Sequence, residues 1–288
     1  MTGSIIDLWD LSTFDAALLA RLGEQRALLI DYYRTSRTNF LAREASDRRG
    51  PPPSNPYAGD YLAFVEDLAT DMAERTIRAW HYTRLTDHEI GIIRAEGICP
   101  ATLETVQQRI AGLVASGDLA AEEAQFFFDS SPFHDDEFGG RNGKFWMVSH
   151  PLPRDDGGVT SLLAHWGGES VYFNHHEGDA IDKLSSIGRA RVLEIAVPLH
   201  VTRHVYDAAR SVTQHYGRSL GCHTDWGMFD LYAAFPLSPD AVLRVHSDGE
   251  TDFGLLGRSY PQTFKPREEM DRVPLHPGMN AVCSRNAP

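Results

Sequence analysis

The chain has 288 residues, of which 42% are hydrophobic and 23% charged, an ordinary composition for a globular protein. Forty Asp and Glu residues against 27 Lys and Arg residues give a formal net charge of −13. This balance disfavours a broad nucleic-acid surface, because affinity for phosphate backbones comes largely from Lys and Arg. A local basic groove is compatible with it. No apolar run reaches the ~18 residues that a membrane span needs.

The cysteines and the first residues indicate a soluble protein of the cytoplasm. Cys99, Cys222 and Cys283 are odd in number and far apart, so no disulfide framework is expected. Residues 1–10 lack the basic and apolar regions of a secretory signal. Delivery as an effector without a cleavable signal is compatible with these features.

The first 75 residues predict a helical N-terminal segment. Apolar residues recur at helical spacing over 13–45, with Thr13 or Ser12 as the expected cap, and again over 57–75. A Pro-rich loop at 46–56 lies between them, because the run 51–53 is all proline.

Residues 76–265 predict a second, mixed region. A strand at 76–85 precedes a helix at 87–96 that ends at Gly97, and one or two helices broken near Gly117 follow over 102–129. Another helix is predicted at 179–187. Further strands are predicted at 144–149, 170–173, 191–199, 229–235 and 241–245. The fold class is therefore α+β. The chain from Tyr260 on, with Pro261, Pro266, Pro274 and Pro277, predicts a meandering tail, irregular over 266–288.

Three segments of this region carry the functional argument. The first has a His followed two residues later by Thr, the second ends on an aromatic pair after two glycines, and the third is an apolar strand that contains an Asp. They are Trp80-His81-Tyr82-Thr83-Arg84, Gly167-Gly168-Glu169-Ser170-Val171-Tyr172-Phe173, and Met228-Phe229-Asp230-Leu231-Tyr232. In this order they resemble the His-Tyr-Glu class of NAD-dependent ADP-ribosyltransferases, which includes diphtheria-type toxins and poly-ADP-ribose polymerases.

The resemblance covers roughly residues 76–246 and implies split antiparallel sheets flanked by helices, with NAD as a consumed substrate. It implies that His81 bonds the adenosine ribose and that Tyr172 stacks on the nicotinamide ring. Thr83 would support the strand or the nicotinamide amide, and Arg84 would meet the pyrophosphate. The predicted NAD-binding set is His81, Tyr82, Thr83, Arg84, Glu169, Tyr172 and Phe173.

The catalytic carboxylate is where the chain departs from the family pattern. A carboxylate on the third strand would stabilise positive charge that develops as the nicotinamide–ribose bond breaks. The chain has Asp230 where the family has Glu. Asp230 ranks first as this group, followed by Glu194 and then Glu169. The acceptor of ADP-ribose is not readable from the sequence, and protein, nucleic acid and small molecules all stay open.

Two other classes of function stay open. A metal-dependent hydrolase would use the 13 histidines that in part lie beside carboxylates, as at 134–136, 175–179 and 223–225. An inactive NAD-binding or interaction module is the other, because Asp is one methylene shorter than Glu.

Overall fold

The structure, a computed structural model, describes residues 4–45, 51, 53–135 and 140–266. Outside these ranges lie residues 46–50 and 52 of the predicted loop and residues 267–288 of the predicted tail, which include Cys283. The strands are β1 Ile5–Ile6, β2 Thr76–Leu85, β3 Phe145–Val148, β4 Arg189–Pro198, β5 Asp230–Ala233 and β6 Val242–Ser247. The helices are α1 Ala16–Glu24, α2 Arg26–Glu44, α3 Ala58–Met72, α4 Asp87–Glu96, α5 Leu103–Ser116, α6 Ala121–Asp129, α7 Thr160–Ala164, α8 Glu169–Tyr172, α9 Asp179–Ser186, α10 Val205–Ser219 and α11 Thr251–Leu255.

The strands form one mainly antiparallel sheet in the order β5-β3-β2-β4-β6, and β1 pairs in parallel with the start of β2. All ten residues of β2 pair with β4, from Thr76–Pro198 to Leu85–Arg189. Helices flank this sheet, so the predicted α+β class is confirmed. No helix within the described ranges is long and apolar enough to cross a membrane.

The sheet forks between β2 and β3. In these two described strands the single paired position is Trp80–Val148, whereas β3 pairs along its whole length with β5. Beyond Trp80, the edge of β2 has no neighbouring strand on this side among the described ones. Alternate residues of such an edge direct backbone N–H and C=O groups away from the paired strand. Backbone N–H and C=O groups of β2 are therefore available in the fork to a bound ligand.

The two faces of β2 belong to different cores. Ile77 and Ala79 pack with the N-terminal helices and α10, through residues such as Leu29 and Val212. Trp80 and Tyr82, which point the other way, pack in a second cluster formed with residues of α7, α11 and the C-terminal segment. The N-terminal helices thus share one apolar core with the sheet.

The strand predicted at 170–173 is wrong, because residues Glu169–Tyr172 form helix α8. Gly167 and Gly168 have φ values of +90° and +62°, a left-handed backbone that turns the chain directly into this helix. A Cβ atom on Gly167 would lie 2.5 Å from the Cβ of Val171. The β-branched and aromatic composition favours a strand, but Val171 packs against Trp166 in a helical cluster instead.

The predicted N-terminal cap is also wrong. Asp15 caps α1, since its carboxylate accepts a hydrogen bond of 2.7 Å from the backbone N–H of Leu18. Thr13 instead closes a short turn, where its hydroxyl accepts from the N–H of Asp7. Gln25 separates α1 from α2, so the predicted helical stretch contains two helices.

The described part of the predicted tail is packed. Phe264 is buried and contacts the rings of Trp9 and Trp226. The hydroxyl of Tyr260 donates a 2.6 Å hydrogen bond to Glu194. These contacts hold the chain against the sheet up to this point, although residues 261–266 form no helix or strand.

Candidate functional site

A cavity of about 670 Å³ lies in the fork between β2 and β3. This volume is within the range of small-molecule sites, roughly 300–1,000 Å³. Its walls come from the two strands, from helices α4 and α5, and from the turn before α8. Each of the three segments singled out from the sequence contributes a lining residue: His81, Glu169 and Asp230.

His81 fills part of the fork and is held in one tautomer. Its Nδ1 lies 2.8 Å from the carbonyl oxygen of Trp146 on β3. A carbonyl only accepts hydrogen bonds, so Nδ1 carries the hydrogen, and Nε2 of the neutral ring is an acceptor. Burial lowers the pKa of His81 to about 4. The ring is therefore neutral at physiological pH and offers a hydrogen-bond acceptor.

We expect the His81 ring to stay neutral, with the proton on Nδ1, from pH 8 down to 5.5. The physical reason is that charging a ring in this buried environment is unfavourable. Nitrogen-15 NMR of the histidine rings measures both the tautomer and the pKa, and the spectrum of the His81→Gln variant assigns the resonance. A titration midpoint near the ordinary value of 6.5 would contradict this description.

The aromatic wall of the cavity comes from β3. Phe145 packs against the His81 ring, with 4.2 Å between ring centroids, and is only partly buried. The next residue, Trp146, has the guanidinium of Arg141 at 4.8 Å from its ring centroid and Nζ of Lys144 at 5.9 Å. The segment Gly143-Lys144-Phe145-Trp146 thus has two aromatic side chains separated from a glycine by one residue. The sequence predicts this strand, but Phe145 and Trp146 are not among the site residues predicted from it.

Asp230 begins β5 at the point where the sheet forks. It pairs with Val148, which in turn pairs with Trp80. Paired residues point to the same face, so Asp230 lies on the Trp80 face, while His81 is on the opposite face. Asp230 is exposed and still lines the same cavity as His81. The opening of the sheet at Trp80–Val148 is what lets one cavity reach both faces.

Glu194 does not line the cavity. It pairs with Trp80, on the face opposite His81, and is 2% exposed. One carboxylate oxygen accepts from Nε2 of His246 at 2.7 Å and from the Tyr260 hydroxyl at 2.6 Å. The other oxygen accepts from Arg78 at 2.6 Å. Despite burial, which raises it, the pKa of Glu194 is lowered overall by these three donors. Glu194 is the centre of a buried charge network.

The other residues of the His81 strand have different positions. Thr83 is buried and lines the cavity. Tyr82 also borders it, and its hydroxyl is bound to both the N–H and the carbonyl of Leu152. Arg84 donates to the carbonyls of Ile187 and Gly188 and is not a lining residue. Arg84 therefore fixes the turn before β4, where the sequence predicted a contact with pyrophosphate.

Some residues of the second segment, 167–173, line the cavity and others do not. Glu169 lines the cavity and pairs with Arg141 at 2.9 Å. Tyr172 and Phe173, at the end of α8, are not among the lining residues. The Tyr172 ring packs against His165 instead. The structure therefore does not bring the predicted stacking residue into the cavity.

A further cluster in the cavity wall was missed by the sequence analysis. The carboxylate of Glu89 on α4 binds Nε of Arg109 on α5 at 2.8 Å and Nε1 of Trp166 at 2.9 Å. Glu89 and Arg109 both line the cavity. The local signal for Glu89 is present in the sequence, because Thr86 and Glu89 form the capping box that starts α4. The long-range partners have no such signal.

The histidines that motivated the metal-dependent hydrolase make local contacts. Nε2 of His134 lies 3.0 Å from the carbonyl of Phe128, and Nε2 of His175 lies 3.0 Å from the hydroxyl of Ser130. Asp136 is outside the described residues. Within the described ranges, no group of three His, Cys, Asp or Glu side chains is arranged to hold a metal ion.

Comparison with known proteins gives no significant match to a protein-family model, a curated protein or a solved structure. The function of the protein is therefore inferred from the cavity and from the residues that line it.

Proposed function

We propose that the protein is an ADP-ribosyltransferase, which cleaves the bond between nicotinamide and ribose in NAD and transfers ADP-ribose to an acceptor. The observation that carries the proposal is that His81, Phe145 and Asp230, from three adjacent strands, line one cavity. A hydrogen-bond acceptor, an aromatic face and a carboxylate are the groups that this reaction needs.

Each of these groups has a role in binding NAD. Nε2 of His81 accepts a hydrogen bond from a ribose hydroxyl. The Phe145 ring supplies a flat apolar surface for nicotinamide. The open edge of β2 supplies backbone groups for the nicotinamide amide. Phe145 takes the stacking role that the sequence analysis gave to Tyr172, because it follows glycine by two residues on a strand and lines the cavity.

Asp230 serves the chemical step. When the bond between C1′ of the ribose and the nicotinamide nitrogen breaks, its electron pair goes to the ring, and positive charge develops on the ribose. A carboxylate near that ribose stabilises the charge in the transition state. An acceptor nucleophile then bonds to C1′ and loses its proton. The acceptor is unidentified, and the net charge of −13 disfavours nucleic acid.

The Phe145→Ala variant should bind NAD about 10-fold more weakly or worse, because stacking on an aromatic side chain contributes about 1–3 kcal/mol per base. Tyr172→Ala is the matched control and should stay within about twofold of the wild type. Calorimetry with a non-hydrolysable NAD analogue measures both. If Tyr172→Ala weakens binding and Phe145→Ala does not, the stacking role belongs to Tyr172. No binding to the wild type at millimolar analogue would contradict the proposed function.

A further inference from the structure

Glu89 is an ionised carboxylate held rigidly in the cavity wall. One oxygen accepts from the N–H of Thr86 at 2.8 Å and from the Trp166 indole at 2.9 Å, and the other accepts from Nε of Arg109. Burial raises its pKa, but the charge of Arg109 and these hydrogen bonds outweigh burial and lower the pKa overall. A fixed negative charge of this kind orients any cation bound to it.

Arg109 is that cation, and it is constrained on two sides. Its Nε is bound to Glu89, and its guanidinium lies 4.8 Å from the centroid of the Trp166 ring. Its Nη2 is shielded from solvent but has no hydrogen-bond partner. The Arg109 side chain as a whole is 31% exposed and lines the cavity, so a ligand there can reach the guanidinium.

Arg109 shares the cavity with His81, the residue proposed to bind the ribose. Arg109 also lowers the pKa of His81 through its charge, in addition to the larger effect of burial.

We propose that Arg109 binds the pyrophosphate of the substrate, with Glu89 and Trp166 as positioning residues that fix its guanidinium. A planar guanidinium with spare N–H donors matches phosphate oxygens better than any other side chain. The cavity then binds ligands that contain an adenosine diphosphate group more tightly than it binds nicotinamide alone. Only the identification of the ligand as NAD rests on the proposed function, because the contact applies equally to ADP.

The test compares ADP, NAD and nicotinamide binding by calorimetry in the full chain. Glu89→Gln keeps Arg109 but removes the charge that fixes its guanidinium, so ADP affinity should fall by about threefold to 10-fold, less than in the double variant. The double variant Glu89→Gln/Arg109→Gln leaves no unpaired buried charge and should bind ADP and NAD about 10- to 100-fold more weakly, the usual effect of losing a charge-assisted hydrogen bond. Its nicotinamide affinity should not change.

Two further variants separate the effect of positive charge from that of the planar guanidinium. Arg94→Gln removes one exposed positive charge from α4 outside the cavity and should leave ADP affinity unchanged. Arg109→Lys keeps the charge but loses the planar donor set, and it should weaken ADP binding by about fivefold or more. This variant answers the question if the double variant does not fold.

Equal ADP affinity in the wild type and in the Arg109 variants overturns the inference, as does the absence of ADP binding by the wild type at millimolar concentration. The two proposals fail separately. Loss of ADP binding in the double variant supports the Arg109 contact even if the wild type never releases nicotinamide from NAD. Normal nicotinamide release with an unchanged KM in the double variant overturns only the Arg109 contact.

Discussion

The Asp230→Asn variant is expected to cleave NAD about 10²–10³-fold more slowly than the wild type while its NAD affinity changes by less than about threefold. A group that stabilises charge mainly in the transition state affects the rate much more than ground-state binding. Asn keeps the shape of Asp and removes the charge. The measurement is the initial rate of nicotinamide release at saturating NAD, together with NAD affinity from calorimetry.

Glu194→Gln is the matched control for this experiment, since it removes a carboxylate from β4, which pairs with the other edge of β2, and Glu194 does not line the cavity. It should retain NAD turnover wherever it remains folded. If Asp230→Asn turns over NAD normally and Glu194→Gln is inactive, the catalytic carboxylate is Glu194. If both variants are fully active, the carboxylate is Glu169 or the transferase proposal fails. Asp230→Glu keeps the carboxylate and should retain activity if the cavity accepts one more methylene.

Replacement of Glu194 by Ala is expected to lower the free energy of unfolding by about 3–5 kcal/mol, because removal of one partner from a buried ion pair leaves the other uncompensated. Arg78 and His246 both lose their shared acceptor in this variant. Glu194→Gln keeps an acceptor oxygen and should cost less, about 1–3 kcal/mol. Urea unfolding followed by circular dichroism measures both values.

The control for stability is Glu177→Ala, which removes an exposed carboxylate and should change the free energy of unfolding by less than about 0.5 kcal/mol. A Glu194→Ala variant as stable as the wild type would show that the network around Arg78, His246 and Tyr260 contributes nothing to stability. Loss of NAD turnover in that same stable variant would instead favour a catalytic role.

Local signals in the sequence were sufficient for the scaffold of the site. The strand Thr76–Leu85 has a β-branched and aromatic composition, and the capping box of Thr86 and Glu89 starts the helix that follows it. Both elements were predicted with nearly the observed bounds. The strand that contains Asp230 also follows from local composition, although the prediction at 229–235 is longer than the observed Asp230–Ala233.

The fork itself has no local signal. It depends on a single pair between Trp80 and Val148, which are 68 residues apart in the chain, and strand pairing of this kind is set by tertiary packing. The same limit explains Tyr172. The residues around Tyr172 have the composition of a strand, but the left-handed backbone at Gly167 and Gly168 directs the chain into a helix. Phe145 could have been found from Gly143-Lys144-Phe145-Trp146, had the aromatic pair after glycine been sought there.

Transferase activity is measured by incubating the full chain with NAD and quantifying free nicotinamide, with and without a cell lysate as a source of acceptor. We expect release by the wild type that increases with lysate, together with ADP-ribose attached to an acceptor, and at least a 10²-fold lower rate for Asp230→Asn. No nicotinamide above the background of the Asp230→Asn variant under either condition would contradict the account and leave an NAD-binding module without turnover.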